Sequence, residues 1–312
     1  MKKYLSSLML LLAAMIWGFA FSAQKAAETV PPFTLGALRS IIAGVFLLLI
    51  IPALDKLRHT GRRLFLKKRV LDFNRTELIG GAICGTVLVV ATFFQQLGMA
   101  LGADAGKASF ITALYVVLVP IYALVLKRHA PINVWISVVI AVVGFYFLCI
   151  SGDFTVEVPD IIVCICSLIF PIQILAIDHF SPRCDGARMS CIQFFVGAIV
   201  NALLALITEM PVNFANVWQN IAPIVFLGVM SSGVAYTLQI LGQRGTNPAA
   251  ASIIMSLESV FGVLGAALVL GERMTPREYV GAAIVFVAVI LSQLDIPAMI
   301  KTFKNKKNAN IS

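Results

Sequence analysis

The sequence predicts an all-α polytopic membrane protein: ten transmembrane helices arranged as two inverted five-helix repeats. Three observations predict it. The first is composition. The 312 residues are 60% hydrophobic and 12% charged, with a mean hydropathy of +0.94. Soluble domains run at roughly 45–50% apolar and about 25% charged, so a water-soluble fold of this chain would lack the polar surface to cover itself. The second is run length. Apolar runs fall at approximately 5–24, 33–54, 77–99, 105–126, 132–150, 159–177, 187–208, 219–241, 248–270 and 277–295. Each is about the 20 residues that cross a hydrocarbon core of roughly 30 Å. Continuous runs of this kind exclude a transmembrane β-barrel, whose strands are short and alternate. The third is internal repetition. At an offset of 143 residues Gln239 falls on Gln96, Gly245 on Gly102, Ala251-Ser252 on Ala108-Ser109, Leu257 on Leu114 and Ala266 on Ala123. Each copy holds five spans, an odd number, so the second enters the membrane upside down. Inverted repeats place a shared site near the bilayer midplane and support alternating access.

The first run begins with Lys2-Lys3 and imitates a signal peptide, with Ala20-Phe21-Ser22 as a weak cleavage site. It continues through Trp17 toward Gln24, beyond the usual h-region of about 7–15 residues. It is therefore kept as a span, and the parity of the repeat requires it. The expected units are a first repeat over 1–150, a second over 151–298 and a basic tail over 299–312.

The net charge of +9 reads as topology and not as a nucleic-acid surface. With the N-terminus in the cytoplasm, Lys2, Lys3, Lys56, Lys127, Arg183, Arg188, Arg244, the basic loop from Asp55 to Thr76 and the tail lysines all fall inside. Only Lys25, Lys107, Arg273 and Arg277 fall outside, which predicts both termini in the cytoplasm. The six cysteines lie mostly within apolar runs, where thiols act as small hydrophobes. Cys164 and Cys166 lack metal-ligand spacing, so neither zinc nor a disulfide is expected.

Polar residues inside the spans sort onto helical faces. Ser232, Tyr236, Gln239 and Gln243 form one stripe, at i, i+4, i+7 and i+11. Thr92 and Gln95 share a face with Gln96 beside them. Thr112, Tyr115 and Tyr122 share another, as do Trp17 and Gln24. In the ninth span Met255, Glu258, Gly262 and Gly265 line up, within a run of small residues that lets helices approach closely. Lipid penalises such polar groups, so they should face partners or a wet cavity. Ser and Thr can bond to their own backbone instead, and Tyr122 has the position of an interfacial belt residue. Glu258 has two readings: a carboxylate that exchanges a proton or pairs with a cationic group, or a permanently satisfied structural carboxyl. Arg39 is the second intramembrane charge. Its expected role is structural, by snorkelling or by pairing with a carboxylate. Glu272 is expected to pair with Arg273 or Arg277, or to cap a helix. No nucleotide loop, zinc ligand set or nucleophile–base spacing occurs, so no enzyme and no cofactor is expected.

Three stretches carry a resemblance. They are Ile16-Trp17-Gly18-Phe19-Ala20-Phe21, the segment Ala108 to Leu126, and Ser256-Leu257-Glu258-Ser259-Val260-Phe261 running on to Thr275. In this order, on ten duplicated spans, the chain resembles the EamA family of the drug/metabolite transporter superfamily over nearly its whole length. The resemblance implies a secondary transporter of small metabolites, often an exporter, in the bacterial inner membrane. It also implies a cavity built from the first, third, fourth, sixth, eighth and ninth spans. The chain departs from the family pattern in three places. Ser259 stands where Pro is frequent, Lys127-Arg128-His129 stands where Gly-Glu is usual, and Phe170-Pro171 stands roughly where the first half has Trp17-Gly18. The two halves are thus unequal.

The resulting expectation is an alternating-access permease that exports a small organic metabolite such as an amino acid. Trp17, Gln95, Gln96, Tyr115, Tyr236, Gln239 and Glu258 would line the path, with Glu258 as the proton-coupling residue. The expected partners are the small-molecule substrate and membrane lipid, with no nucleic acid, the protein itself being a monomer or homodimer. A lipid or polyprenyl carrier flippase, and a membrane sensor or assembly protein without transport, are the alternatives.

Overall fold

The computed structural model describes residues 2–59, 73–103, 105–127, 130–149, 157–270 and 275–294. These residues are mostly helical, joined by short turns, with no strand among them. Long helices α1 (Lys2–Ala26), α2 (Pro32–His59) and α3 (Arg75–Ala100) come first. The fourth span is split into α4 (Ala105–Ala113) and α5 (Tyr115–Val125), and α6 (Ile132–Cys149) completes the first half. The second half runs α7 (Val158–Phe180), α8 (Gly186–Thr208), the short α9 (Phe214–Gln219) and α10 (Ile221–Phe226). A π-helical segment, Leu227–Ala235, joins α10 to α11 (Tyr236–Gln243). The ninth span is split into α12 (Pro248–Met255) and α13 (Glu258–Leu270), and α14 (Pro276–Gln293) is the last helix. Eight segments are long and apolar enough to cross a membrane. The shorter α6 and α14 pack along each other and complete the ten.

Helices start where the sequence supplies donors' partners. Asn74 and Glu77 close a capping box on α3, and Thr275 and Glu278 close one on α14, with Pro276 in its first turn. Asp185 caps α8 and Asn247 caps α12. Each such residue satisfies N–H groups that the helix itself leaves open. A longer-range cap ties the halves together. Glu209, just after α8, accepts from Phe33 N (2.8 Å), Thr34 N (2.7 Å) and Thr34 Oγ1 (2.7 Å) at the start of α2.

Pairing of the helices establishes how the copies are related. Along α2 and α8, Thr34 meets Glu209, Gly36 meets Asn201, Gly44 meets Phe195 and Asp55 meets Arg188. The numbers run in opposite senses, so these two repeat-equivalent helices are antiparallel. The other equivalent pair behaves alike: Asn133 on α6 donates to Ser292 O and Leu294 O, while Gly144 meets Gly281 and Val285 on α14. Exchanging the halves also converts the α3–α7 packing into α11–α1, and α1–α13 into α7–α5. The duplication is therefore inverted, as the parity of spans predicts.

Both split spans break at the same repeat position. α4 ends at Ala113 and α5 starts at Tyr115, while α12 ends at Met255 and α13 starts at Glu258. Tyr115 and Glu258 are themselves 143 apart. The local causes differ. In the first copy Pro120 lies inside α5, where it crowds the Val116 carbonyl and lacks an N–H, so it loosens the turn just after the break. In the second, Ser252 and Ser256 bond back to Ala249 O and Ile253 O at 2.8 Å each, a habit that bends helices. Short i→i+3 bonds mark both breaks, Leu114 N to Ile111 O and Leu257 N to Ile254 O. Each of these spans, expected from sequence as one apolar run, is therefore two half-helices.

The side chains of Lys107, Glu272 and Arg273, most of the basic loop after Asp55, and the tail lie outside the described residues. Arg277 stands over the Tyr146 ring, with its guanidinium carbon 5.1 Å from the centroid.

The α6–α14 contact gives a direct test. A Cβ at Gly281 would meet Leu148 N at 2.5 Å and Gly144 O at 2.7 Å, backbone atoms that cannot yield cheaply. Overpacking of this kind costs about 1–3 kcal/mol. Gly281→Ala is expected to lower the melting temperature of the purified protein by several degrees. Gly262→Ala, whose Cβ finds nothing nearer than 3.7 Å, is expected to leave it unchanged.

Candidate functional site

The two breaks meet at the centre of the protein. Tyr115 and Glu258 open the second half-helix of their spans and are 4% and 6% exposed. The Tyr115 side chain lies beside the Glu258 carboxyl group, and Glu258 Oε1 has no hydrogen-bond partner among the described residues. Ser259 Oγ donates to Ser109 O across the two broken spans (3.3 Å). The half-helix starting at Glu258 brings the positive end of its dipole to the same place.

Around this pair lies a cavity that draws on both halves. Its walls include Trp17 and Gln24 from α1, Arg39 from α2, Gln95 from α3, and Thr112 and Tyr115 from the broken fourth span. Phe170 and Gln173 of α7, Ser231, Tyr236 and Gln239 of the eighth span, and Met255 and Glu258 complete it. Water centres have about 40 Å³ available, room for a few waters, since one needs roughly 10–15 Å³.

Most of the polar lining is held in place. Gln95 Nε2 donates to Thr112 Oγ1 (3.1 Å). Gln239 Nε2 donates to Gln173 Oε1 (3.2 Å), and Gln173 Nε2 returns the bond at 3.4 Å. Trp17 packs on Tyr236 with ring centroids 4.7 Å apart. Its Nε1 donates to Ser231 O (3.3 Å), a carbonyl in the π-helical segment. Wide turns of this type are rare and recur at functional sites. Phe194 closes on the other side of Tyr236 at 5.5 Å.

Of the residues singled out from sequence, Trp17, Gln95, Tyr115, Tyr236, Gln239 and Glu258 all line this cavity. Gln96 does not. It faces an adjoining hollow between α2, α3 and α8, because consecutive residues on a helix point about 100° apart. Its repeat counterpart Gln239 does reach the centre, so the halves are unequal here. The stripe on the eighth span also divides. Ser232 accepts from Arg39 Nε (3.2 Å), and Gln243 Nε2 reaches Ile174 O (3.4 Å). Tyr122 donates to Leu168 O (3.3 Å) near a span end. Arg39 departs most from expectation. It neither snorkels, being 7% exposed, nor pairs with a carboxylate among the described residues. It lines the cavity instead, adding the second span to the six that the resemblance implies. Gln173 was missed, although an amide within an apolar run is the signal that identified its partner Gln239.

Comparison with known proteins agrees with this architecture. Residues 5–150 and 158–294 each match the EamA-like transporter family. An uncharacterized transporter of Archaeoglobus fulgidus is 32% identical over 300 residues, covering 95% of this chain and 88% of its own. An uncharacterized transporter of Methanothermobacter thermautotrophicus is 20% identical over 305 residues, covering 93% and 87%. A solved crystal structure superposes with a TM-score of 0.70 at 17% identity, covering 92% of this chain and 96% of that one, which supports the fold alone. Two family matches that together span nearly all of the described helices leave one conclusion: the chain belongs to the EamA-like transporter family, within the drug/metabolite transporter superfamily.

Proposed function

We propose that the protein is a secondary active transporter that exports a small organic metabolite by alternating access. The observation that carries this reading is the central cavity. It lies where two inverted repeats break their helices, and it is lined with polar groups from both copies. Non-helical backbone at membrane depth is tolerated where it is enclosed by protein or faces water. As it stands the hollow, at about 40 Å³, is far below the roughly 300 Å³ at which pockets for small molecules begin. Passage of a metabolite therefore requires the two halves to part on one face and then on the other. The polar lining residues other than Trp17 are buried, which favours a soluble solute over a lipid carrier. The Lys and Arg distribution supports a multi-pass protein of the bacterial inner membrane with both termini in the cytoplasm. Gln173 and Gln239 then lie toward the cytoplasm and Gln24 toward the outside. Glu258 is the proton-coupling group of this scheme, since it is an ionisable side chain with an unpaired oxygen in the path.

Water access tests the path before a substrate is known. In a variant lacking the six native cysteines, Gln239→Cys is expected to react with a membrane-impermeant maleimide from the cytoplasmic side of oriented vesicles. Gln24→Cys is expected to react from the outer side. If neither position reacts from either side, there is no path.

Coupling is tested once a thermal-shift screen of amino acids, polyamines, sugars and nucleosides has supplied a ligand. Glu258→Gln is expected to reduce pH-gradient-driven flux in proteoliposomes to background while counterflow continues. Gradient-driven flux that survives the substitution would remove Glu258 from the coupling step.

A further inference from the structure

A second group of polar side chains is not accounted for by the central cavity. Arg39 stands where that cavity meets two smaller hollows, one holding Gln96 and the other Gln193, with Asn201 reaching both. Gln96 and Gln193 are 4% and 0% exposed, and neither atom of either amide has a hydrogen-bond partner among the described residues. Asn201, by contrast, donates to Gly197 O (2.9 Å). A buried amide without partners is costly, and native proteins keep few of them.

Arg39 is in a similar position. Its Nε donates to Ser232 Oγ (3.2 Å), and Tyr236 is its other polar neighbour. No carboxylate lies in ion-pair range of it among the described residues. Arg188 provides the contrast: it is as buried, yet its Nη2 sits 2.6 Å from Asp55 Oδ2. Glu258 lines the same cavity but makes no ion pair with Arg39, so a guanidinium held at membrane depth is left with a place for an anion from elsewhere.

We propose that Arg39, backed by the amides of Gln96 and Gln193, is the subsite for a carboxylate group of the transported solute. This rests on reading the central cavity as a solute path. The planar fork of a guanidinium takes a carboxylate through two parallel N–H···O bonds, and two neutral amides add donors without adding charge. A single positive charge suits a monoanion better than a phosphate dianion. The hollows are about 10 Å³ each, room for about one water apiece. Each hollow therefore takes no more than one oxygen, and the rest of the solute lies in the central cavity. Gly36 lets the Asn201 side chain approach, since a Cβ there would meet Asn201 Oδ1 at 2.7 Å.

The test reads binding at equilibrium. With Trp135→Phe and Trp218→Phe, Trp17 is the sole indole, and it packs on Tyr236 next to Arg39. Its fluorescence is titrated at constant ionic strength with formate, acetate, butyrate and phenylacetate, each against the corresponding amide. A saturable change with at least one carboxylate and with none of the amides is expected. Arg39→Gln should weaken it by roughly tenfold or more, as loss of a charge-assisted bond predicts. Gln96→Leu and Gln193→Leu should each weaken it severalfold with the melting temperature maintained, which keeps the test open if Arg39→Gln fails to fold. Equal responses to acid and amide, no saturable response to any carboxylate, or affinity indifferent to these substitutions would overturn the subsite. Failure of the transport reading looks different: carboxylates would bind through Arg39 while no solute crosses. Conversely, flux of an uncharged solute that ignores Arg39 would leave transport standing and remove the subsite.

Discussion

Hydrocarbon offers no hydrogen bonds, so each polar group at membrane depth must find its partner within the protein. The features of this chain that are not plain apolar helix follow from that constraint. Where α4 and α12 stop short, backbone groups turn to i→i+3 bonds and to serine hydroxyls. Where the eighth span widens, the carbonyl of Ser231 receives the Trp17 indole. Gln173 and Gln239 satisfy each other between α7 and α11, within the second half. Among the groups left over, Glu258 Oε1 and the amides of Gln96 and Gln193 gather about the central space and its side hollows.

Close packing makes these arrangements possible. Burial of apolar area drives little association between helices in lipid, because the tails are as apolar as leucine. Glycines supply close approach instead. Gly18 lies under Phe261 and Gly262, Gly85 lies against Gln193 O, and Gly144 and Gly281 face each other across α6 and α14. The two antiparallel pairs that join equivalent helices, α2 with α8 and α6 with α14, are pinned near their ends by Glu209, by Asp55 with Arg188, and by Asn133. Those pairs hold the copies together while the broken spans approach each other between them.

Much of this was legible in the sequence. Run length and parity carried the ten spans and the inversion, since both depend only on apolar content and count. Helical spacing carried Trp17, Gln95, Tyr115, Tyr236, Gln239 and Glu258, because lipid forces such side chains inward whatever the details. The same reasoning could not place Gln96. Facing inward is not the same as facing the centre, and Gln96 turns into a seam between three helices. Nor could it foresee the breaks. Pro120 was visible, but proline is tolerated in membrane helices, and in the second copy serines bend the chain with no proline beyond Pro248 in the first turn of α12. The widened turn at Leu227–Ala235 has no composition of its own. Arg39 was assigned to structure because isolated charges usually are; its lack of a carboxylate became apparent only once its neighbours were placed.

The residues that follow the two breaks, Tyr115 and Glu258, are copies of one ancestral position that have diverged into a phenol and a carboxylic acid. Were the copies identical throughout, turning the molecule over would exchange its halves and leave it unchanged, and its two resting orientations would have equal energy. That degeneracy is lifted here, at this pair and by the unequal placing of Gln96 and Gln239. On an alternating cycle, a change of pH would then favour one orientation over the other.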